Sequence, residues 1–230
     1  MKDDWSNPKF VGDWDKKTGR NNPARAVHLG LLKKILVDNY EKDKYILDLG
    51  FGTGQFEEIL FKEIENPQFI CVDSSEVMIS NAKSRLGENY SKMTVIKHDL
   101  NKIEDLQLIN TPIKFALTFQ VLHEIQRENR LKIFKFIYNH LEGNGTYLFM
   151  DKVKTDYQGL SKIYKSLWNW QDETAEQKAN WDFDKYANSQ VSKEDYPGTL
   201  ADNLRDIASV GFKTACIHLQ FDRAVIAGVK

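Results

Sequence analysis

The segment Tyr45-Ile-Leu-Asp-Leu-Gly-Phe-Gly-Thr-Gly54 constrains this chain more than any other. A short apolar run breaks into three glycines at alternate positions, and a helical period begins at once near Gln55. A strand can pass into a helix over so short a link only if the backbone turns sharply, and Gly50, Gly52 and Gly54 allow that because glycine takes positive φ without steric cost. Further apolar runs follow at Phe69–Val72, Thr94–Lys97, Lys114–Phe119 and Thr146–Met150. Helical periods at Phe56–Ile64, Glu76–Leu86 and Arg127–Leu141 lie between most of them, and Gly143-Asn144-Gly145 closes the last. This alternation predicts βαβ units and a parallel sheet. The end of the chain departs from it: Asp202–Val210 reads as a helix stopped by Gly211, and Phe212–Gln220 and Arg223–Val229 are strands joined by so few residues that they must form an antiparallel hairpin.

At 230 residues, 41% of them apolar, one domain with a substantial core is expected over 1–230. Residues 1–43 read as an irregular arm followed by a helix. Trp5, Phe10 and Trp14 must pack on the body, and the helix begins at Asn21-Asn22-Pro23, presents Val27, Leu31 and Ile35 with Leu32 and Leu36, and ends near Tyr40. Residues 44–151 form the βα core and 198–230 the terminal helix and hairpin. Between them, 152–197 is a long polar, aromatic-rich insertion with helical spacing at Leu160, Ile163, Tyr164, Leu167 and Trp168. A connection of that length inside a compact domain is usually functional, so it reads as a substrate cap.

Lys+Arg of 32 against Asp+Glu of 33 gives a net charge of −1, which provides no basic footprint for phosphate binding and leaves nucleic acid unsupported as a partner. No stretch approaches the ~18 apolar residues of a membrane span, and the N-terminus has no signal-like run, so a cytoplasmic protein, monomeric or homodimeric, is expected. Cys71 and Cys216 follow no metal-ligand spacing and read as buried reduced thiols; no metal is expected.

The glycine turn alone suits several nucleotide ligands. A dinucleotide fingerprint needs its third glycine three residues after the second, but position 55 is glutamine and the third glycine is Gly54. Asp48 is costly at the end of a buried strand unless it meets a donor or a cation. Asp73, closing the second strand before Ser74, stands where a carboxylate can accept both hydroxyls of a ribose, or else caps the helix that follows. Asp99 follows the third strand, before Leu100, and could equally be an ordinary loop aspartate.

Leu47-Asp-Leu-Gly-Phe-Gly-Thr-Gly54, with Asp73 and Asp99 in register and the closing hairpin, resembles the class I S-adenosylmethionine-dependent methyltransferases, with Phe51 where cysteine is common. The resemblance implies a doubly wound, mostly parallel seven-stranded α/β sheet of order 3-2-1-4-5-7-6 with its last strand antiparallel, and S-adenosylmethionine as cofactor. It further implies that Asp73 accepts the ribose hydroxyls and that Asp99 meets the adenine amino group; a methionyl ammonium would suit Asp48, and Gly50, Gly52, Gly54, Ser74, Leu100 and Gln120 are the further candidate cofactor-binding residues. Phe115–Ile125 resembles the family's fourth motif, although Ala116 stands where aspartate is common. His123 within it is a candidate general base, or else a helix cap or pocket wall.

For the substrate side, Lys152 could hold an anionic acceptor or simply be solvated. Tyr157, Tyr164, Trp168 and Trp181 could stack on a flat or cationic acceptor or merely form the cap's own core. The tail and insertion also resemble the branch containing the tRNA wobble-uridine carboxymethyl transferase, which uses a carboxylated cofactor. From Asp156 to Asp195, however, there are lysines and no arginine to hold the extra carboxylate. A small-molecule acceptor, methylated on oxygen or nitrogen, is therefore expected. The carboxymethyl transferase and a non-catalytic cofactor-binding protein of the same fold are the alternatives.

Overall fold

The computed structural model describes residues 4–230 apart from 22–23, 109–110, 156–158, 175–182, 185 and 188–194. Helices α1 (Pro8–Asn21) and α2 (Arg25–Asn39) precede strand β1 (Tyr45–Leu49). The winding then runs α3 (Gln55–Glu63), β2 (Gln68–Asp73), α4 (Glu76–Leu86), β3 (Met93–Lys97), β4 (Ile113–Phe119), α5 (Arg127–His140) and β5 (Leu141–Lys152). After α6 (Ser161–Thr174), the chain closes with α7 (Leu200–Ser209), β6 (Lys213–Gln220) and β7 (Arg223–Val229). The seven strands form one sheet in the order β3-β2-β1-β4-β5-β7-β6, as the resemblance implied. β1 to β5 pair in parallel, while β7 runs antiparallel to both β5 and β6.

The two-residue period of the strands sends alternate side chains into two cores. Leu47, Leu49, Ile70 and Val72 pack with Ile133, Phe134 and Ile137 of α5 and Ile207 of α7 on one face. Ile46, Phe69 and Cys71 pack with Leu32 and Leu36 of α2, Leu60 of α3 and Leu86 of α4 on the other. Phe69 and Phe134 are almost fully buried, and truncating either to alanine should cost about 3–5 kcal/mol. With helices on both faces, the carboxyl ends of β1, β2 and β4 are the open edge at which a ligand can be held.

The N-terminus differs from the sequence expectation. Residues 8–21 are helical rather than irregular, because Asn7 Oδ1 accepts from the Lys9 and Phe10 amides (3.0 and 3.2 Å) and Pro8 occupies the first turn. The cap-and-proline signal is therefore used at Asn7-Pro8. α2 starts at Arg25, and Ala24 at its N-cap makes no side-chain bond; Asn22 and Pro23 lie outside the described residues. Val11 is fully buried, and Trp5 meets Phe10 and Trp14 edge-on at 5.2 and 5.3 Å. The Gly143–Gly145 turn falls inside β5, whose pairing with β4 breaks between Leu141 and Thr146, and Asn144 takes φ 61° there. Both cysteines are free thiols, Cys71 buried and Cys216 half-buried.

Candidate cofactor site

β1 ends in a turn held against β2 by Gly50 N–H donating to Val72 O at 2.7 Å. Gly50 has φ 84°, and a Cβ there would stand 2.7 Å from Val121 Cγ2, so glycine is required twice over. Gly54, at φ 72°, is the N-cap of α3, and a Cβ would press on Leu86 and Ala82 of α4 at 3.0 and 3.2 Å. Its part is to let α3 and α4 pack closely. Asp73 links the two strand ends: Oδ2 accepts from Gly52 N–H at 3.0 Å and Oδ1 from Ser75 N–H at 2.8 Å. Burial raises the Asp73 carboxyl above its usual range, with the Ser75, Gly52 and Ser74 amides opposing.

The turn opens onto a cavity of about 290 Å³ lined by Asp48, Gly50, Gly52, Asp73, Ser74, Asp99, Leu100 and Gln120. The structure thus gathers in one cavity every residue assigned to the cofactor from sequence except Gly54. Asp99 also caps the short 3₁₀ turn after β3, accepting from Asn101 N–H at 2.9 Å. Asp48 is buried beside Glu57 of α3. Asp48 Oδ1 and Glu57 Oε2 find no partner among the described residues. Burial first, then the nearby charges of Glu57 and Asp73, push the Asp48 carboxyl well above its ordinary range. An acidic floor with an orphaned carboxyl oxygen, under a turn that excludes side chains, fits a cationic nucleoside such as S-adenosylmethionine. Asp48 would face its ammonium and Asp73 its ribose hydroxyls.

Beyond β4, His123 sits in a short 3₁₀ turn, with its Nδ1 2.6 Å from Asp151 Oδ1. Asp151 Oδ2 accepts from the Leu122 and His123 amides at 2.7 and 3.1 Å, and Oδ1 also accepts from Lys152 N–H at 2.7 Å. Burial works to lower the imidazole pKa, but the charge and hydrogen bond of Asp151 outweigh it and the net shift is upward. His123 is not part of the cavity wall; its neighbours Val121 and Glu124 are. Lys152 is buried and paired with Asp195 at 2.6 Å, away from the cavity lining. Trp168 packs with Phe183, Tyr186 and Phe221, and Tyr164 lies against the same cluster. Tyr157 and Trp181 lie outside the described residues.

Several groups at the site carried no sequence signal for it. Trp5 Nε1 donates to Glu124 Oε2 at 2.7 Å and its carbonyl accepts from Ser75 Oγ at 2.6 Å, which lays the N-terminal segment across the cavity. Asp15 of α1 accepts from Thr53 Oγ1 and Gln55 Nε2, both at 2.6 Å, and pairs with Arg85 at 2.5 Å. Arg25, the first residue of α2, is buried in the cavity wall with its guanidinium 5.3 Å from the centre of the Phe119 ring. The aromatic spacing of the arm was a signal for packing; nothing in the sequence distinguishes Arg25 or Glu57 from solvated helix residues.

Residues 46–145 match the family model described as a methyltransferase domain. A carboxy-S-adenosyl-L-methionine synthase of Nautilia profundicola is 29% identical over 87% of this chain and 82% of its own length. The malonyl-[acyl-carrier protein] O-methyltransferase 1 of Ilyobacter polytropus is 26% identical over 66% of this chain, which spans 54% of that relative. Among solved structures, PigF with SAH superposes with a TM-score of 0.62 at 15% identity, over 98% of this chain and 60% of the other. A matching domain model over residues 46–145, a relative aligned over most of both chains, the sheet order and the acidic glycine-turn cavity agree: the chain carries the methyltransferase domain of an S-adenosylmethionine-dependent enzyme.

Proposed function

We propose that this enzyme transfers the methyl group of S-adenosylmethionine to an oxygen or nitrogen of a small-molecule acceptor, with His123 as the base. The observation that carries the reading is the His123–Asp151 contact at 2.6 Å just beyond the end of β4. The cofactor supplies an electrophilic methyl on a sulfonium. The chain's own work is to align the acceptor and to take its proton where it has one. Asp151 fixes the imidazole through Nδ1 and stabilises the imidazolium that forms, which leaves Nε2 as the nitrogen able to accept a proton. Trp5 and Trp14 over the cavity exclude water from the transfer site. A net charge of −1 favours a small acceptor over a nucleic acid. The test is His123→Gln, assayed by release of S-adenosylhomocysteine over a panel of hydroxyl and amine acceptors. Turnover should fall by about 100-fold or more with cofactor affinity unchanged; full turnover would remove His123 as the base.

A second reading is favoured by the length of the match to the carboxy-S-adenosyl-L-methionine synthase: the chain makes or uses a carboxylated cofactor. That relative is named for making such a cofactor, whereas the branch noted from sequence uses it. Mass spectrometry of the cofactor that copurifies separates the readings, since a carboxylated cofactor is heavier by the mass of CO₂.

A further inference from the structure

The ion pair between Lys152 and Asp195 joins the last residue of β5 to the chain returning from the insertion, and the methyl transfer itself does not use it. Its Nζ–Oδ2 distance is 2.6 Å, and the two side chains are 6% and 11% exposed. A pair withdrawn so far from water gains little over apolar side chains of the same volume, so stability alone does not explain it. The residues that follow are fastened down around it. Tyr196 N–H donates to His123 O at 2.6 Å, and the buried Arg130 of α5 donates from Nη1 to Tyr196 O at 2.7 Å. Lys154 N–H donates to Gly198 O at 2.9 Å, and a Cβ on Gly198 would stand 3.0 Å from Asn203 Oδ1 of α7. Within residues 195–198 this strap therefore meets the turn after β4, α5, the end of β5 and α7. One of its bonds falls on the main chain of His123, while Lys152 directly follows Asp151, which holds the His123 ring. The imidazole thus sits in a small frame: Asp151 fixes the ring, Tyr196 fixes the main chain, and Lys152 with Asp195 joins the two sides.

We propose that Asp195 is a positioning residue for His123, seating the strap so that the base is oriented only when the insertion is docked on the core. The proposal rests on the reading of His123 as the base and deepens it. The two partners lie 43 residues apart, at the points where the insertion leaves and rejoins the core, so a single ion pair closes its foot. Breaking that pair frees the strap, and with it the bond that the Tyr196 amide makes to His123 O. The charged groups around the imidazole are Asp151 and Lys152 from β5, Glu124 from its own turn, Arg130 from α5 and Asp195 from the strap. Burial lowers the imidazole pKa, and Asp151, Glu124 and Asp195 raise it by more than that loss. Asp195 therefore acts on the base by charge as well as by geometry, and both effects depend on the strap being seated.

The experiment is Asp195→Asn in the full chain, followed by three measurements. They are NMR titration of the His123 ring, identified by its absence in His123→Gln; calorimetry with S-adenosylmethionine; and S-adenosylhomocysteine release on whichever hydroxyl or amine acceptor wild type methylates. Asp195→Asn should lower the His123 pKa and cut turnover about tenfold or more, with S-adenosylmethionine affinity within about threefold of wild type. Asp195→Glu, which keeps the charge, should recover most of both. Should Asp195→Asn not fold, Lys152→Gln must cut turnover in the same way while moving the His123 pKa upward, because a positive charge is then the one removed. An unmoved His123 titration, undiminished turnover, or turnover lost together with cofactor affinity overturns the positioning role. Full turnover by His123→Gln would instead overturn the reading of His123 as the base.

Discussion

Asp48 and Asp151 are the penultimate residues of β1 and β5, the two strands that flank β4, and both are almost completely buried. Asp151 is surrounded by donors: three backbone N–H groups and the His123 ring. Burial alone would raise its carboxyl, but the charge and hydrogen bond of His123 and the Lys152 amide hold it below the usual range. Asp48 has an orphaned Oδ1, and its acidic neighbours Glu57 and Asp73 join burial in raising it. The same side chain at equivalent strand positions is completed by the protein in one case and left with an oxygen unpartnered among the described residues in the other. That difference separates scaffold from ligand site more sharply than conserved-looking spacing could.

If the comparison holds, the same substitution at the two positions has opposite effects. Asp151→Asn exchanges a carboxylate accepting four hydrogen bonds for an amide with one acceptor oxygen, and should destabilise the chain by about 2–4 kcal/mol in urea unfolding. Asp48→Asn removes a poorly served acid and should stabilise the cofactor-free chain by about 1–2 kcal/mol at pH 8, while weakening S-adenosylmethionine by about tenfold or more in calorimetry. Destabilisation by both would break the contrast. The pH dependence has a definite sign. Asp48 and Glu57 are raised in the fold, so their contribution is fully present below the unfolded value near pH ~4 and is lost as pH climbs through the raised values. Asp151 is lowered, so its contribution is present above ~4 and is lost as pH falls. Asp48→Asn should therefore flatten the alkaline limb of stability and Asp151→Asn the acid limb.

This contrast also marks what could be read from sequence. β1, β7 and α4 match their expected bounds because glycines, short polar breaks and apolar period delimit them. The glycine turn with Asp48, Asp73 and Asp99 is compact in sequence and so was legible as a site. Glu57 was not, because a glutamate in the first turn of a helix normally reads as favourable charge near the helix dipole; only the fold turns it inward onto Asp48. Arg25 was hidden for a similar reason, since burial of its guanidinium depends on α2 lying against the end of β4. Lys152 was read as facing an acceptor or solvent, whereas its partner Asp195 lies 43 residues on, a separation that no local pattern spans. The helix over residues 8–21 was missed even though Asn7-Pro8 carries its start signal, because its single buried aliphatic, Val11, makes too thin a stripe to register.

His28 offers the smallest and cleanest sharpening of the comparison. Like Asp48 it is fully buried with an orphaned atom, Nδ1, but it lies outside the cofactor cavity and its Nε2 meets His218 Nδ1 at 2.9 Å. Burial, then His218 and Arg223, lower its pKa to about 4. The folded chain therefore keeps His28 neutral while the unfolded chain takes up a proton near pH ~6.5, so its contribution is present above that value and is lost as pH falls toward 4. Between pH ~7 and ~5.5 the loss should be about 1 kcal/mol. His28→Gln should remove that slope whatever constant offset the substitution brings. Saturating S-adenosylmethionine should leave the His28 slope in place while changing the limb set by Asp48, because the ligand completes only the orphan that faces it. A cofactor that erased both slopes would mean that the two buried groups belong to one coupled unit, and the division between scaffold and site would have to be redrawn through α2.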